Sequence, residues 1–193
     1  MSLRSLTTLI IAIAILLYPF VIFFGIQFLS VQGLSLIILC LFGLRAIFNH
    51  KNDHSIMPKY ALFTLSGIGI AISLLGMLSH NIIFIKLYPV AMNLAFLSIF
   101  IVSLFAKENI IYQFAKKTSR QPLPPFVSTY TRKVTIAWCV FFLLNALVSC
   151  YSALFSSLHV WTIYNGLISY ILIGTFFVCE FVVRIFVKRK NRK

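Results

Sequence analysis

The stretch Ile82–Phe105, IIFIKLYPVAMNLAFLSIFIVSLF, decides how this chain is read. Its 24 residues hold one charge, Lys86, with one proline and one asparagine. At about 1.5 Å of rise per residue, a helix of that length crosses a hydrocarbon layer of about 30 Å. Once it is taken as a membrane span, further apolar runs stand out at about 6–29, 31–48 and 60–79 before it, and at 134–158 and 160–187 after it. The predicted fold class is all-α: a polytopic integral membrane protein of six transmembrane helices in one membrane domain, 1–193.

Composition points the same way. Mean hydropathy is +1.00, and of 193 residues 61% are hydrophobic while only 10% are charged. Soluble domains carry charge on about a quarter of their residues. A water-soluble fold of this size has no interior large enough for that much apolar surface, so lipid must serve as its solvent. The net charge of +14 does not signal nucleic acid, which calls for a basic face on a folded domain. Here the cations gather where apolar runs stop, as topology signals do.

In chain order, the run after Arg4 is too long for a signal-peptide core of about 7–15 residues, and no small-residue cleavage pattern follows it. It reads as an uncleaved span, kinked at Tyr18-Pro19. The polar loop NHKNDHSIMPK (Asn49–Lys59) follows the second span. Its His50, Asp53 and His54 lack the further ligands that a metal site requires. In the third span Ser66, Gly69, Ser73 and Gly76 form a strip of small residues along one helix face, suited to close approach of a neighbouring helix.

Beyond Phe105 the stretch KENIIYQFAKK places Ile110, Ile111 and Phe114 among lysines, which predicts a short amphipathic helix at about 107–117 lying on the membrane surface. Pro122–Pro125 then reads as an extended spacer. Trp138 and Trp161 stand near the starts of the last two spans, where interfacial rings are favoured. Glu180 and Arg184, four apart, can pair on one helix face. All four cysteines (Cys40, Cys139, Cys150, Cys179) fall inside apolar runs, without the spacing of a disulfide framework or zinc site.

Of the 17 Lys and Arg residues, all but Lys86 fall at the N-terminus, the second-to-third loop, the fourth-to-fifth loop or the C-terminal end, counting Arg45 and Arg184 at span ends. The positive-inside rule then places both termini in the cytoplasm. Lys107, Lys116, Lys117, Arg120, Arg132, Lys133, Lys188, Arg189 and Lys190 make up a basic cytoplasmic face. Anionic lipid headgroups are its expected partners; an acidic soluble protein such as an acyl carrier protein is the alternative.

Polar residues within the spans form a second candidate site. Asn93 and Asn145 fall near the midplane. Asn145, Ser149, Ser152 and Ser156 share one face of the fifth span; Thr162, Asn165 and Ser169 share one face of the sixth. Lys86 and Tyr88 lie on the outer side of the fourth. Two readings are open: hydrogen bonds between helices, or a polar cavity open to the outer leaflet with Lys86 facing an anionic group. Leu17-Tyr18-Pro19 recurs as Leu87-Tyr88-Pro89, so Pro19 and Pro89 mark either two separate kinks or a 3+3 inverted repeat of the kind found in transporters.

Catalysis is not expected. The chain has three carboxylates, Asp53, Glu108 and Glu180, too scattered to pair for acid–base or metal chemistry. No catalytic or phosphate-binding motif is present, and no cofactor is implied.

KLYPVAMNLAFLSIFIVSLF from Lys86, the basic stretch, the proline-rich connector and TRKVTIAWCVFFLLNALVSCY from Thr131, with Ala137, Trp138, Phe141 and Phe142 at its head, resemble the intracellular septation protein A family of bacterial inner-membrane-spanning proteins. The resemblance covers about Lys86 to Lys188. The two Tyr-Pro spans resemble more closely a related group of uncharacterised bacterial membrane proteins, whose genes often lie beside fatty-acid-like or aryl-polyene-like synthesis genes. It implies a multi-pass protein of the bacterial inner membrane, acting in envelope maintenance or the handling of lipid-like products. No catalytic residue comes with it. The expected function is that of a non-enzymatic accessory; a small transporter or lipid flippase using the polar cavity is the alternative.

Overall fold

A computed structural model describes residues 17–25, 27–50, 59–119 and 122–190. The first part of the expected first span, Asp53 and His54 in the polar loop, and Arg120 lie outside the described residues. All regular structure among the described residues is helical: α1 Tyr18–Gly25, α2 Val31–His50, α3 Lys59–Ser79, α4 Ile82–Lys86, α5 Tyr88–Phe105, α6 Ile110–Thr118, α7 Phe126–Phe155, α8 Leu158–Ile163, a π-helical turn Tyr164–Ile168, and α9 Ser169–Lys190. Among the described residues three helices are long and apolar enough to cross a membrane: Tyr88–Phe105, Phe126–Phe155 and the continuous Leu158–Lys190. Val31–Leu44 and Phe63–Ser79 are shorter apolar helices. Large apolar side chains such as Phe28, Leu78, Phe105 and Phe155 stand at the surface, an exposure that water would penalise and lipid would not.

The organising stretch is broken at Leu87. Pro89 has no N–H to offer the preceding turn. The chain therefore closes α4 with the Leu87 N–H on the Ile83 carbonyl (2.9 Å) and restarts as α5, Ala91 bonding back to Leu87 at 3.0 Å. Pro89 thus lies in the first turn of α5, where proline fits best. Pro19 likewise lies in the first turn of α1, with the Phe20 N–H on the Leu17 carbonyl at 3.0 Å. The two Leu-Tyr-Pro triplets therefore share a local role: each opens a helix behind a leucine turn.

The strip of small residues on α3 packs against α2. A Cβ added to Gly69 would lie 2.5 Å from Cγ of Phe42, and one added to Gly76 would lie 2.8 Å from the Ser35 hydroxyl. Glycine is what lets these backbones approach.

Two apolar clusters organise the remainder. Ile22, Leu34, Ile38, Phe42, Ile85, Tyr88, Ala153 and Trp161 join α1, α2, α4, α5, α7 and α8 at the Lys86 end. Leu65, Ala95, Ile99, Phe100, Ile110, Trp138, Cys139 and Phe142 join α3, α5, α6 and α7 toward the basic end. Each contains a tryptophan expected at a lipid interface, and here the structure corrects the sequence reading. Trp161 is fully buried and Trp138 only 4% exposed. Trp161 donates its indole N–H to the Lys86 carbonyl at 3.0 Å, and Trp138 is ringed by Phe141, Phe142, Phe176 and Phe177 at 4.5–5.5 Å between centroids. Neighbouring helices supply partners that a lone span would have to seek in the headgroups.

One boundary and one packing face also differ. Helix α7 begins at Phe126, eight residues before the expected start, because Pro125 takes a helical conformation and supplies an N-terminus. Arg132 and Lys133 therefore ride on a helix rather than in a loop. The amphipathic helix exists as α6, capped by the Asn109 side chain on the Tyr112 N–H (2.9 Å). Its Ile110, Ile111 and Phe114 pack into the Trp138 cluster, so the apolar face meets α7 rather than lying free for lipid.

Candidate functional site

The intramembrane polar residues are brought together, and what they meet is one another. The Asn93 amide donates to the Pro89 carbonyl one turn back at 2.8 Å. Asn145 donates to the Asn93 side-chain carbonyl at 2.9 Å and accepts from the Tyr164 hydroxyl at 2.8 Å. Beside this chain, Ser149 donates to the Asn165 side-chain carbonyl at 2.8 Å, and the Asn165 amide reaches the Ser152 hydroxyl at 3.2 Å and the Trp161 carbonyl at 2.9 Å. Ser169 and Thr162 donate to carbonyls one turn back, on Asn165 and Leu158. Tyr88 instead sets its ring 5.4 Å from that of Phe42. Lys86 turns inward: it is only 9% exposed, and its ammonium donates to the Ser156 carbonyl at 3.3 Å.

The π turn belongs to this network. The Ser169 N–H bonds the Tyr164 carbonyl five residues back, widening the helix where Asn165 and Gly166 are buried. Gly166 permits α1 to pack there, since an added Cβ would lie 2.9 Å from the Phe20 ring and 3.3 Å from Pro19. Such single-turn bulges occur often at functional positions. Tyr164 carries no comparable signal in the sequence: it stands immediately before Asn165, off the face that Asn165 and Ser169 share.

At the opposite end, the cations of α6, α7 and α9 gather. Arg132 donates to the Leu104 carbonyl at 3.0 Å, fixing the start of α7 to the end of α5. Lys116 pairs with Glu108 at 2.7 Å; the hydrogen bond and charge of Glu108 raise the Lys116 pKa above the ordinary lysine value. Lys107, Lys117 and Lys133 are exposed, and Lys188, Arg189 and Lys190 form the last turn of α9. Beneath them the Asn109 amide and carbonyl bond the hydroxyls of Thr131 (3.2 Å) and Thr135 (3.1 Å). This anchor has no counterpart in the sequence reading, although an asparagine immediately before the apolar run Ile110-Ile111-Tyr112 is a helix-start signal.

Between α7 and α9 the helices part. Glu180 accepts from the Tyr130 hydroxyl at 2.9 Å and from Arg184 through both carboxylate oxygens. This bridge separates two openings. One, of about 650 Å³, is lined by apolar side chains including Val134, Ala137, Phe176 and Val183, with Thr129, Lys133 and Cys179 at its edge. The other, of about 420 Å³, lies under α6 and is bordered by Arg184 and Lys188. Both volumes fall in the range of ligand sites, about 300–1,000 Å³.

Comparison with protein-family models, curated proteins and solved structures gives no match for this chain. Function is therefore argued from the sites. Among the described residues no three His, Cys, Asp or Glu side chains gather as metal ligands would. Glu180 is held by Arg184 and Tyr130, and Glu108 by Lys116, so both described carboxylates are engaged. The arrangement suits binding: a saturated polar lock at one end, and an apolar opening with a basic rim at the other.

Proposed function

We propose that the chain is a six-span protein of a bacterial inner membrane with both termini in the cytoplasm, acting without catalysis as an accessory in envelope maintenance or the handling of lipid-like products. One observation carries this reading. The cations of α6, the start of α7 and the end of α9 lie together at one end of the long helices, while Lys86 at the other end is turned inward. A bilayer with an anionic inner leaflet is the environment that sorts charge this way.

Single cysteines at Ser119 and Ser157, probed in intact spheroplasts with a membrane-impermeant maleimide, test the orientation. Labelling at Ser157 alone is expected; labelling at Ser119 overturns it. For the working face, neutralising Lys116, Lys117 and Arg120 together lowers the amount of anionic phospholipid that co-purifies with the protein. If an acidic carrier protein is the partner, the same change abolishes its pull-down from solution.

A second reading, a small transporter or flippase, draws on the hydrogen-bonded chain Asn93–Asn145–Tyr164 and the π turn beside it. Fluorescent-lipid scrambling in proteoliposomes tests it: Lys86→Gln with Asn145→Leu must abolish movement while the protein remains folded.

A further inference from the structure

From the opening between α7 and α9 we infer a binding site for one acyl chain of an anionic phospholipid drawn from the surrounding leaflet. The site is made by parting helices rather than by a groove on a single surface. Near the basic end α7 and α9 meet through long side chains, Tyr130 with Glu180 and Trp138 with Phe176 and Phe177. On one side of that line Phe126, Val134, Ala137, Phe176, Val183 and Val187 leave about 650 Å³ open between them. Hydrocarbon lining selects hydrocarbon, and the membrane placement proposed above puts acyl chains beside it.

Charge selects the headgroup. The carboxylate in this wall, Glu180, is neutralised by Arg184 and hydrogen-bonded by Tyr130. Lys133 lines the same opening and is exposed, and among the described residues no carboxylate pairs with it. Thr129 stands four residues earlier on α7, on the same helix face, and also lines the opening. An ammonium and a hydroxyl one turn apart on the wall of an apolar slot fit a phosphodiester whose chain lies in the slot. A zwitterionic headgroup brings its own cation to Lys133 and loses that advantage.

Cys179 lines the opening and is exposed, which makes it a reporter for occupancy. The experiment uses the full chain carrying Cys40→Ala and Cys150→Ala in detergent micelles. Maleimide modification of Cys179 is timed with added phosphatidylglycerol, phosphatidylcholine or palmitate. Phosphatidylglycerol is expected to slow modification about fivefold more than phosphatidylcholine, the preference that one basic residue gives for an anionic surface. Lys133→Gln, which keeps most of the stem, removes the preference, whereas Lys117→Gln retains it. Ala137→Phe fills the slot and removes protection by either phospholipid. Equal protection by both phospholipids, an unchanged preference in Lys133→Gln, or protection by palmitate alone overturns the assignment. Because the assay has no sidedness, a reversed spheroplast labelling pattern would refute the proposed orientation without touching this result.

Discussion

The two ends of the helix assembly solve the same packing problem with different chemistry. At the Trp161 end, α5, α7 and the π turn are tied by side-chain hydrogen bonds from Asn145 to Asn93 and Tyr164 and from Ser149 to Asn165. At the Trp138 end, α7 and α9 are held by aromatic rings and a single polar bridge at Glu180. Bonds with fixed direction close the first; rings that tolerate several angles leave space beside the second. The lesson is that the most polar region need not be the most open one. In a low-dielectric interior, polar groups that satisfy one another make a lock, and the opening lies where they run out.

The contrast can be broken most severely at Trp138. Trp138→Ala removes the ring on which Phe100, Phe142 and Phe176 converge and is expected to cost about 3–5 kcal/mol. Thermal unfolding in mild detergent, followed by circular dichroism, measures it; a loss below that of Asn145→Leu would reverse the ranking of the two ends. Asn145→Leu strips partners from Asn93 and Tyr164 together, at about 1–3 kcal/mol for buried groups left unpaired. Asn145→Asp, which retains an acceptor for Tyr164, distinguishes this from a packing loss by keeping the tyrosine bonded.

Gly69→Ala tests a third region by the same assay. Its Cβ would enter the Phe42 ring, and overpacking of that kind costs about 1–3 kcal/mol; pairing it with Phe42→Leu should restore part of the loss. Tyr130→Phe removes the bridge hydrogen bond alone, for about 0.5–1.5 kcal/mol, and should speed maleimide modification of Cys179. No acceleration would mean that the bridge does not hold α7 and α9 at their spacing.

Smallest of all is Glu108→Gln. The Glu108–Lys116 pair is solvated, so no measurable change in unfolding temperature is expected at neutral pH. Its signature is in titration. Because Glu108 raises the Lys116 pKa, any stabilisation is complete below the ordinary lysine value and disappears as pH rises through the raised one. In Glu108→Gln the Lys116 titration, followed by NMR of the ε-carbon, should move down.

Much of this architecture can be read from residue order because apolar length and proline position act locally. The run from Ile82 to Phe105 declares its helices, and Pro89 declares their break. The Gly69 strip shows a close-packed face, and four-residue spacing finds Glu180 with Arg184. Periodicity gives a face but not its neighbour. That Ser149 meets Asn165, or that Tyr130 crosses to Glu180 fifty positions away, depends on how helices are arranged. The tryptophans depart from expectation for the same reason: the interface preference describes a ring with only lipid beside it, whereas Trp161 meets the Lys86 carbonyl and Trp138 meets phenylalanines of α5, α7 and α9. The opening at Lys133 had no legible signal, since a gap between helices is written in no single segment.

The π turn at Tyr164–Ile168 has a consequence for everything downstream. An α-helix advances about 100° per residue, so one surplus residue in a turn re-aims the rest of α9 by about that angle. Phe176, Phe177 and Glu180 point at α7 only because of that offset. Removing one residue from the wide turn would leave every α9 side chain in the sequence yet rotate the apolar wall and the carboxylate away from their partners, so that five residues at one end of the molecule set the compass bearing of the opening at the other.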